Sequence, residues 1–251
     1  MKALKSNAEW KEWGRRDPLY GVAAWPGRER GGSRPWTEDE FYATGAATWL
    51  GYRSHWEHYG LDRSVCLEIG AGAGRMTESL ARDFAVVHAV DVSAEMLALA
   101  RKRISSQSVI FHMTDGLAIP LPDASVTAVF STFVFQHFDS PRDAARYLRE
   151  IARTMAPGAT LMIQLPVYVS PIAPGAFRAL YALQRRGGQL RANIRRKLMA
   201  RGGRPIVRGL TYEVSWLQQT LDEMGLSDVE FRITGAMTKH MPLTFVLAKR
   251  A

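Results

Sequence analysis

The sequence predicts an α/β protein, a doubly wound and mainly parallel sheet of seven strands with helices on both faces. Three observations predict it. Short apolar runs alternate with helical stretches from Val65 to Leu165, which is how parallel strands joined by helical crossovers read. The stretch LEIGAGAGRM (67–76) puts three glycines directly after the first apolar run, at the strand end where ligands of such sheets gather. The chain has 251 residues, of which 47% are hydrophobic, enough for one sizeable core.

Taken in order, VCLEI (65–69) is a strand that ends at a glycine, and 75–83 reads as a helix. VVHAVDV (86–92) is the second strand, followed by a helix over 93–103 with apolar Met96, Leu97, Leu99 and Ala100. VIFHMTD (109–115) and SVTAVFSTFVF (125–135) are the third and fourth strands. Ser140, Pro141 and Asp143 then open a helix: a serine cap, a proline at the first position and an acid three residues after the cap. Ala144, Leu148 and Ile151 recur along it at helical spacing. The Pro157-Gly158 turn leads into TLMIQL (160–165), the fifth strand. A last helix spans Thr211–Met224 and is stopped by Gly225, before two closing strands, VEFRIT (229–234) and LTFVLAK (243–249). Residues 1–60 show no such alternation and read as an N-terminal cap rich in aromatic residues. Residues 61–251 form the main domain, and 166–210 a helical insertion after its fifth strand.

The net charge is +9, and it is local. No acid occurs from Ile151 to Tyr212, a stretch that holds eleven of the 33 basic residues, ten of them within 178–208. The apolar runs fall far short of the roughly 20 residues a membrane span needs. MKALKSNAEW lacks the apolar core of a signal peptide, so a cytoplasmic protein is expected. The single cysteine, Cys66, leaves no internal disulfide and no multi-cysteine zinc site, and no metal is expected. Cys66 reads as an inert core thiol, His55 and His58 as a solvated helix face, and His88 and His112 as strand residues.

A dinucleotide loop, G-x-G-x-x-G, would need its third glycine where Arg75 stands, and a phosphate loop would need a Gly-Lys-Ser/Thr ending that is absent. The glycines are Gly70, Gly72 and Gly74, preceded by Glu68. This E-x-G-x-G-x-G spacing resembles the first motif of the class I S-adenosylmethionine-dependent methyltransferases. Asp91, Asp115-Gly116, FSTFVFQHF (130–138) and MAPGATLMIQLP (155–166) resemble later motifs of that family at its intervals. The resemblance covers 65–166 and extends less tightly over the final helix and strands. It implies S-adenosylmethionine as cofactor, with Glu68, Gly70, Ala71 and Gly72 around it. Asp91 would meet the ribose hydroxyls, and Met96 and Asp115 the adenine, with Val92, Gly116 and Phe133 as further cofactor contacts. Arg75 is either a cofactor contact or a solvated base.

The resemblance also frames the acceptor. An Asn/Asp-Pro-Pro-aromatic motif for nucleobase amines is absent after the fourth strand, Cys66 is in the wrong strand for pyrimidine C5 chemistry, and Asp139 stands alone where metal-dependent relatives carry several carboxylates. His137 lies where the methyl group should sit and is either a catalytic base or a residue that orients a loop or substrate. Tyr20, Trp36 and Phe41 of the cap, with Tyr168 and His240, are the candidate substrate contacts. Packing is the alternative for the cap aromatics. The expected reaction is O-methylation of a small-molecule, glycan or lipid-linked acceptor by in-line displacement. The insertion reads as two helices, Gly175–Arg186 and Gln189–Arg201, forming a lid whose arginines meet an anionic group. A solvated face, a membrane-surface helix and an RNA-binding patch are its alternatives, and an RNA-modifying methyltransferase is the second functional reading.

Overall fold

The structure, a computed structural model, describes residues 4–169, 209–238 and 241–251. Strands β1 (Val65–Ile69), β2 (Val86–Asp91), β3 (Val109–Met113), β4 (Val126–Ser131) and β5 (Met155–Tyr168) are joined by β6 (Tyr212–Glu213), β7 (Leu226–Thr238) and β8 (Met241–Arg250). The sheet order is β3-β2-β1-β4-β5-β8-β7, with β6 pairing with β5 off that path. β1 to β5 run parallel, and β8 is antiparallel to both β5 and β7. The seven expected strands are thus present. A two-residue eighth, β6, is too short to leave a pattern in sequence.

The helices are α1 (Lys5–Arg16), α2 (Pro18–Val22), α3 (Glu38–Glu57), α4 (Thr77–Asp83), α5 (Ala94–Arg103), α6 (Pro141–Thr154) and α7 (Val214–Asp222). Their starts follow from side-chain caps. The Ser140 hydroxyl accepts from the Asp143 N–H at 3.2 Å, with Pro141 at the first position of α6. Ser93 accepts from the Met96 N–H at 3.3 Å to begin α5, and Glu213 accepts from the Trp216 N–H at 2.7 Å to begin α7. Each satisfies an N–H that the first helical turn leaves without a partner.

Strand alternation sorts the core onto two faces. Leu67, Val129, Leu161 and Val246 face α6 and α7, against Leu148, Ile151 and Leu217. Their neighbours Cys66, Phe130, Met162 and Phe245 face α3 and α4, against Trp49, Trp56 and Leu80. Trp56 is fully buried and stacks on Phe130 at 6.0 Å, and its indole N–H donates to Thr160 at 2.9 Å. The core therefore does not break at residue 60, because α3 is a layer of the main sheet. Lys5–Arg16, Pro18–Val22 and Glu38–Glu57 are helical, where the sequence reading was a cap with no assigned structure. The helix expected over 75–83 starts at Thr77, and residues 70–76 form the turns above β1. Most of the insertion, with its two expected helices, lies outside the described residues.

Candidate functional site

The crossovers switch from one side of the sheet to the other between β1 and β4, so the connections that leave their carboxyl ends part and leave a crevice. Three glycines follow β1, and all three hold positive φ: 71° at Gly70, 55° at Gly72 and 85° at Gly74. The space they leave is used. A side chain at Gly70 would place its Cβ 2.2 Å from Val134, and one at Gly72 3.0 Å from Val22. The Gly70 and Ala71 N–H groups both donate to the Val90 carbonyl, which fastens the loop to the end of β2.

Asp91, the last residue of β2, holds the loop from below. One carboxylate oxygen accepts from the Gly72 N–H and the other from the Ser93 N–H, each at 2.8 Å. Burial pushes this carboxyl above the usual range, against the opposing pull of the Ser93, Gly72 and Val92 N–H groups. Glu68 stands elsewhere. It is buried beneath the loop, accepts from the Thr77 hydroxyl at 2.5 Å and does not line the crevice. Burial pushes its carboxyl up to about 7, the Thr77 hydroxyl opposes this, and the Asp91 charge adds to it.

The crevice opens into a cleft of about 790 Å³, counting the space open to solvent at its mouth. Gly70, Gly72, Asp91, Val92, Met96, Gly116 and Phe133, all singled out in sequence, line it. Phe133 holds φ at 58°, a conformation that costs a bulky residue roughly 1–3 kcal/mol and is tolerated mainly where a site demands it. His137 lines the cleft too, from a 3-10 turn over Phe135–His137, and is only 7% exposed.

Other expected residues are placed differently. Arg75 is not a solvated base. It is buried against α3, one guanidinium nitrogen lies 3.5 Å from the Thr48 hydroxyl, and it does not reach the cleft. The Asp115 carboxylate is exposed, and one of its oxygens, Oδ1, accepts from both the Leu117 and Ala118 N–H groups of its own loop at 2.8 and 3.0 Å. Tyr20, Trp36 and Phe41 do not line the cleft. They pack together with Trp13 and Met96, Phe41 without exposure, and Trp36 donates to the Ala23 carbonyl at 2.8 Å. Tyr168 is half-buried at the end of β5, outside the cleft lining, and His240 lies outside the described residues. His88 and His112 pair with each other at 3.0 Å on β2 and β3.

Sequence reasoning missed α1. Leu4, Asn7 and Trp10 line the cleft, and their three-residue spacing marks one helical face. The Trp10 ring meets the His137 ring edge-on at 4.8 Å. Tyr147 of α6 also reaches the cleft, among residues that read as helix core. Among the described residues, Asp91 is the one carboxylate in the lining, and neither Lys nor Arg contributes to it.

The profile of the methyltransferase domain family matches residues 67–163, from β1 into β5. Residues 67–163 thus match a methyltransferase domain, and the fold around them is that of class I S-adenosylmethionine-dependent methyltransferases. A demethylmenaquinone methyltransferase of Tropheryma whipplei is 33% identical to this chain over 98 residues, which is 39% of each chain. The chain thus spans about two fifths of the length of that curated relative. Among solved structures, the magnesium protoporphyrin IX methyltransferase of Synechocystis, with bound S-adenosylhomocysteine, shares the fold at a TM-score of 0.60 and 16% identity, over 98% of this chain and 100% of that one. The phosphoethanolamine N-methyltransferase 2 of Haemonchus contortus, with phosphomonomethylethanolamine and S-adenosylhomocysteine, gives 0.57 and 17%, over 80% of this chain and 52% of that one.

The residues present fit S-adenosylmethionine as cofactor. Gly70 and Gly72 leave backbone where a side chain would fill the wall, and the single lining carboxylate suits a ligand with a ribose diol and a net positive centre. Gly70, Gly72 and Asp91 would hold it, with Val92 and Met96 as apolar contacts.

Proposed function

We propose that the chain transfers a methyl group to an oxygen of a small-molecule acceptor. The observation that carries this is the position of His137: buried in the wall of the cofactor cleft, within a ring contact of Trp10. The cofactor, when bound, would supply a methyl group on a positively charged sulfur that keeps the electron pair of the broken carbon–sulfur bond and leaves as a neutral thioether. The chain's own residues do the rest. One imidazole nitrogen of His137 takes the proton of the acceptor hydroxyl as its oxygen forms the new bond to carbon, a role suited to neutral histidine near pH 7. Trp10, Phe133 and Val134 surround the reacting side with apolar surface, which excludes water and holds the acceptor in line.

The acceptors named for the similar proteins, demethylmenaquinone, phosphoethanolamine and magnesium protoporphyrin IX, support a small molecule. The arginines of 178–208 support an anionic group on it, and their lack of acidic neighbours also favours a membrane surface as the place where it is met. The same run of charge sustains the RNA reading as second. An acceptor screen with isotope-labelled cofactor tests the proposal. Label transferred to a hydroxylated small molecule supports it. Label recovered only in RNA, or RNA retention that collapses between low and moderate salt, moves the assignment to the second reading.

A further inference from the structure

We infer that helix α3 sets the glycine loop for the cofactor before the cofactor arrives, with Tyr42 as the positioning residue. The inference rests on the cofactor assigned above and concerns residues outside the matched domain. Helix α1 of the cap has another anchor: the Asp139 carboxylate accepts from the Lys5 N–H at 2.7 Å and the Ser6 N–H at 3.1 Å. Helix α3 bonds the loop itself. The Tyr42 hydroxyl donates to the Ala73 carbonyl at 2.7 Å, and both residues are buried.

Among the described residues, no other donor reaches the Ala73 carbonyl. Its neighbours are served by the chain beside them. The Ala71 carbonyl accepts from the Gly74 N–H at 2.9 Å, and the Gly74 carbonyl from the Glu78 N–H at 3.2 Å. Without the Tyr42 hydroxyl, a buried carbonyl would lose its donor and the loop would have to turn to find another.

Three residues further along α3, Gly45 brings the helix backbone onto the same loop. A Cβ there would stand 2.0 Å from the Arg75 carbonyl oxygen, a backbone atom that no rotamer change can move. Tyr42 is itself held. The Arg103 guanidinium of α5 lies 4.7 Å from its ring centre and pairs with Asp39 and Glu78 at 3.4 and 3.7 Å. At Gly74 the loop also packs on α5, since a Cβ there would stand 2.9 Å from Ile104 and 3.0 Å from Ala100. The loop is thus gripped between two helices. Glycines at positive φ are free to leave that conformation, and a ligand that had to order them would bind more weakly. The grip orders them in advance.

Calorimetry with S-adenosylhomocysteine and hydrogen exchange on the ligand-free chain test this. Tyr42→Phe keeps the ring and removes the bond. Its affinity should fall about three- to tenfold, and the amides of 70–76 should exchange faster. Gly45→Ala should weaken binding by about tenfold or more, because the new methyl group drives the loop away. Trp49→Phe is the control. It removes an α3 bond of the same kind at the far end of α4, where the Trp49 indole N–H donates to Asp83 at 2.6 Å. It should lower the melting temperature and leave the affinity unchanged. Wild-type affinity in Tyr42→Phe, unaltered exchange at 70–76, or an equal loss of affinity in Trp49→Phe would each show that α3 only supports the fold, and the inference is wrong. Failure of the wild-type chain to bind S-adenosylhomocysteine would overturn the cofactor reading itself, and this assignment with it.

Discussion

The loop of residues 70–74 meets the cleft with backbone, whereas α1 meets it with side chains. On the first wall, glycines at positive φ let the chain come close, and the Val90 carbonyl and the Asp91 carboxylate take up the loop's N–H groups. On the second, Leu4, Asn7 and Trp10 project from a helix hung on Asp139. A backbone wall tolerates few residue types, because a Cβ at Gly70 would collide with Val134. A side-chain wall can be rebuilt residue by residue without disturbing the sheet. The difference suggests a division of labour, with the first wall serving what the ligand always is and the second what distinguishes it.

His137 lies where the walls meet, and its loss should have the largest effect. His137→Ala is expected to lower turnover roughly 10²–10⁴-fold if the imidazole is the base, while calorimetry finds S-adenosylhomocysteine affinity nearly unchanged. Near-native turnover in His137→Gln at saturating acceptor would leave His137 an orienting role only. Asp91→Ala breaks the backbone wall. It removes the acceptor of the Gly72 and Ser93 N–H groups, together with any charge-assisted bond to the ribose, worth roughly 1.5–3 kcal/mol each. Cofactor affinity should fall at least about tenfold, and an unchanged affinity in a folded variant would remove Asp91 from the site.

Asp139→Ala breaks the other wall. Losing a carboxylate that caps α1 should cost about 1 kcal/mol, confined to the cap. Trypsin should then cut faster after Lys11, Arg15 and Arg16, all exposed on α1, with the melting temperature of the sheet little changed. Equal shifts in both would mean that cap and sheet unfold as one unit. The smallest effect concerns Glu68. Its folded carboxyl is raised to about 7 from an ordinary 4.5, so the folded chain holds this proton more tightly than the unfolded one. Its contribution to stability is fully present below about pH 4.5 and is lost as pH rises through 7. Glu68→Gln should flatten the decline in melting temperature over that interval, and an unaltered slope would show that Glu68 does not titrate there.

The same contrast explains what could be read in advance. Backbone geometry leaves a strong mark in sequence, since positive φ beside a packed neighbour calls for glycine, and Gly70, Gly72 and Gly74 announced the loop. Short apolar runs between helical stretches announced β1 to β5, because a strand covered on both faces is apolar at nearly every position. Asp115 shows the limit of spacing: its position at the end of β3 was legible, but the two N–H groups that hold its Oδ1 are backbone groups that no pattern names. Leu4, Asn7 and Trp10 look like any helix face until the helix is placed. Tyr20, Trp36 and Phe41 were conspicuous as aromatic residues, and the same bulk drew them into the interior of the cap.

The clasp between β5 and β6 has a consequence of another kind. Val167 pairs with Tyr212 and Tyr168 with Glu213, and the Tyr212 hydroxyl donates to the Phe135 carbonyl at 2.6 Å. The two ends of the stretch between Tyr168 and Tyr212 are therefore riveted side by side, independently of what lies between them. Doubling the length of a closed loop adds only about 0.6 kcal/mol to its closure. This stretch is thus a socket: natural variation can lengthen, shorten or exchange it at little thermodynamic cost, and one scaffold can acquire new clientele without refolding.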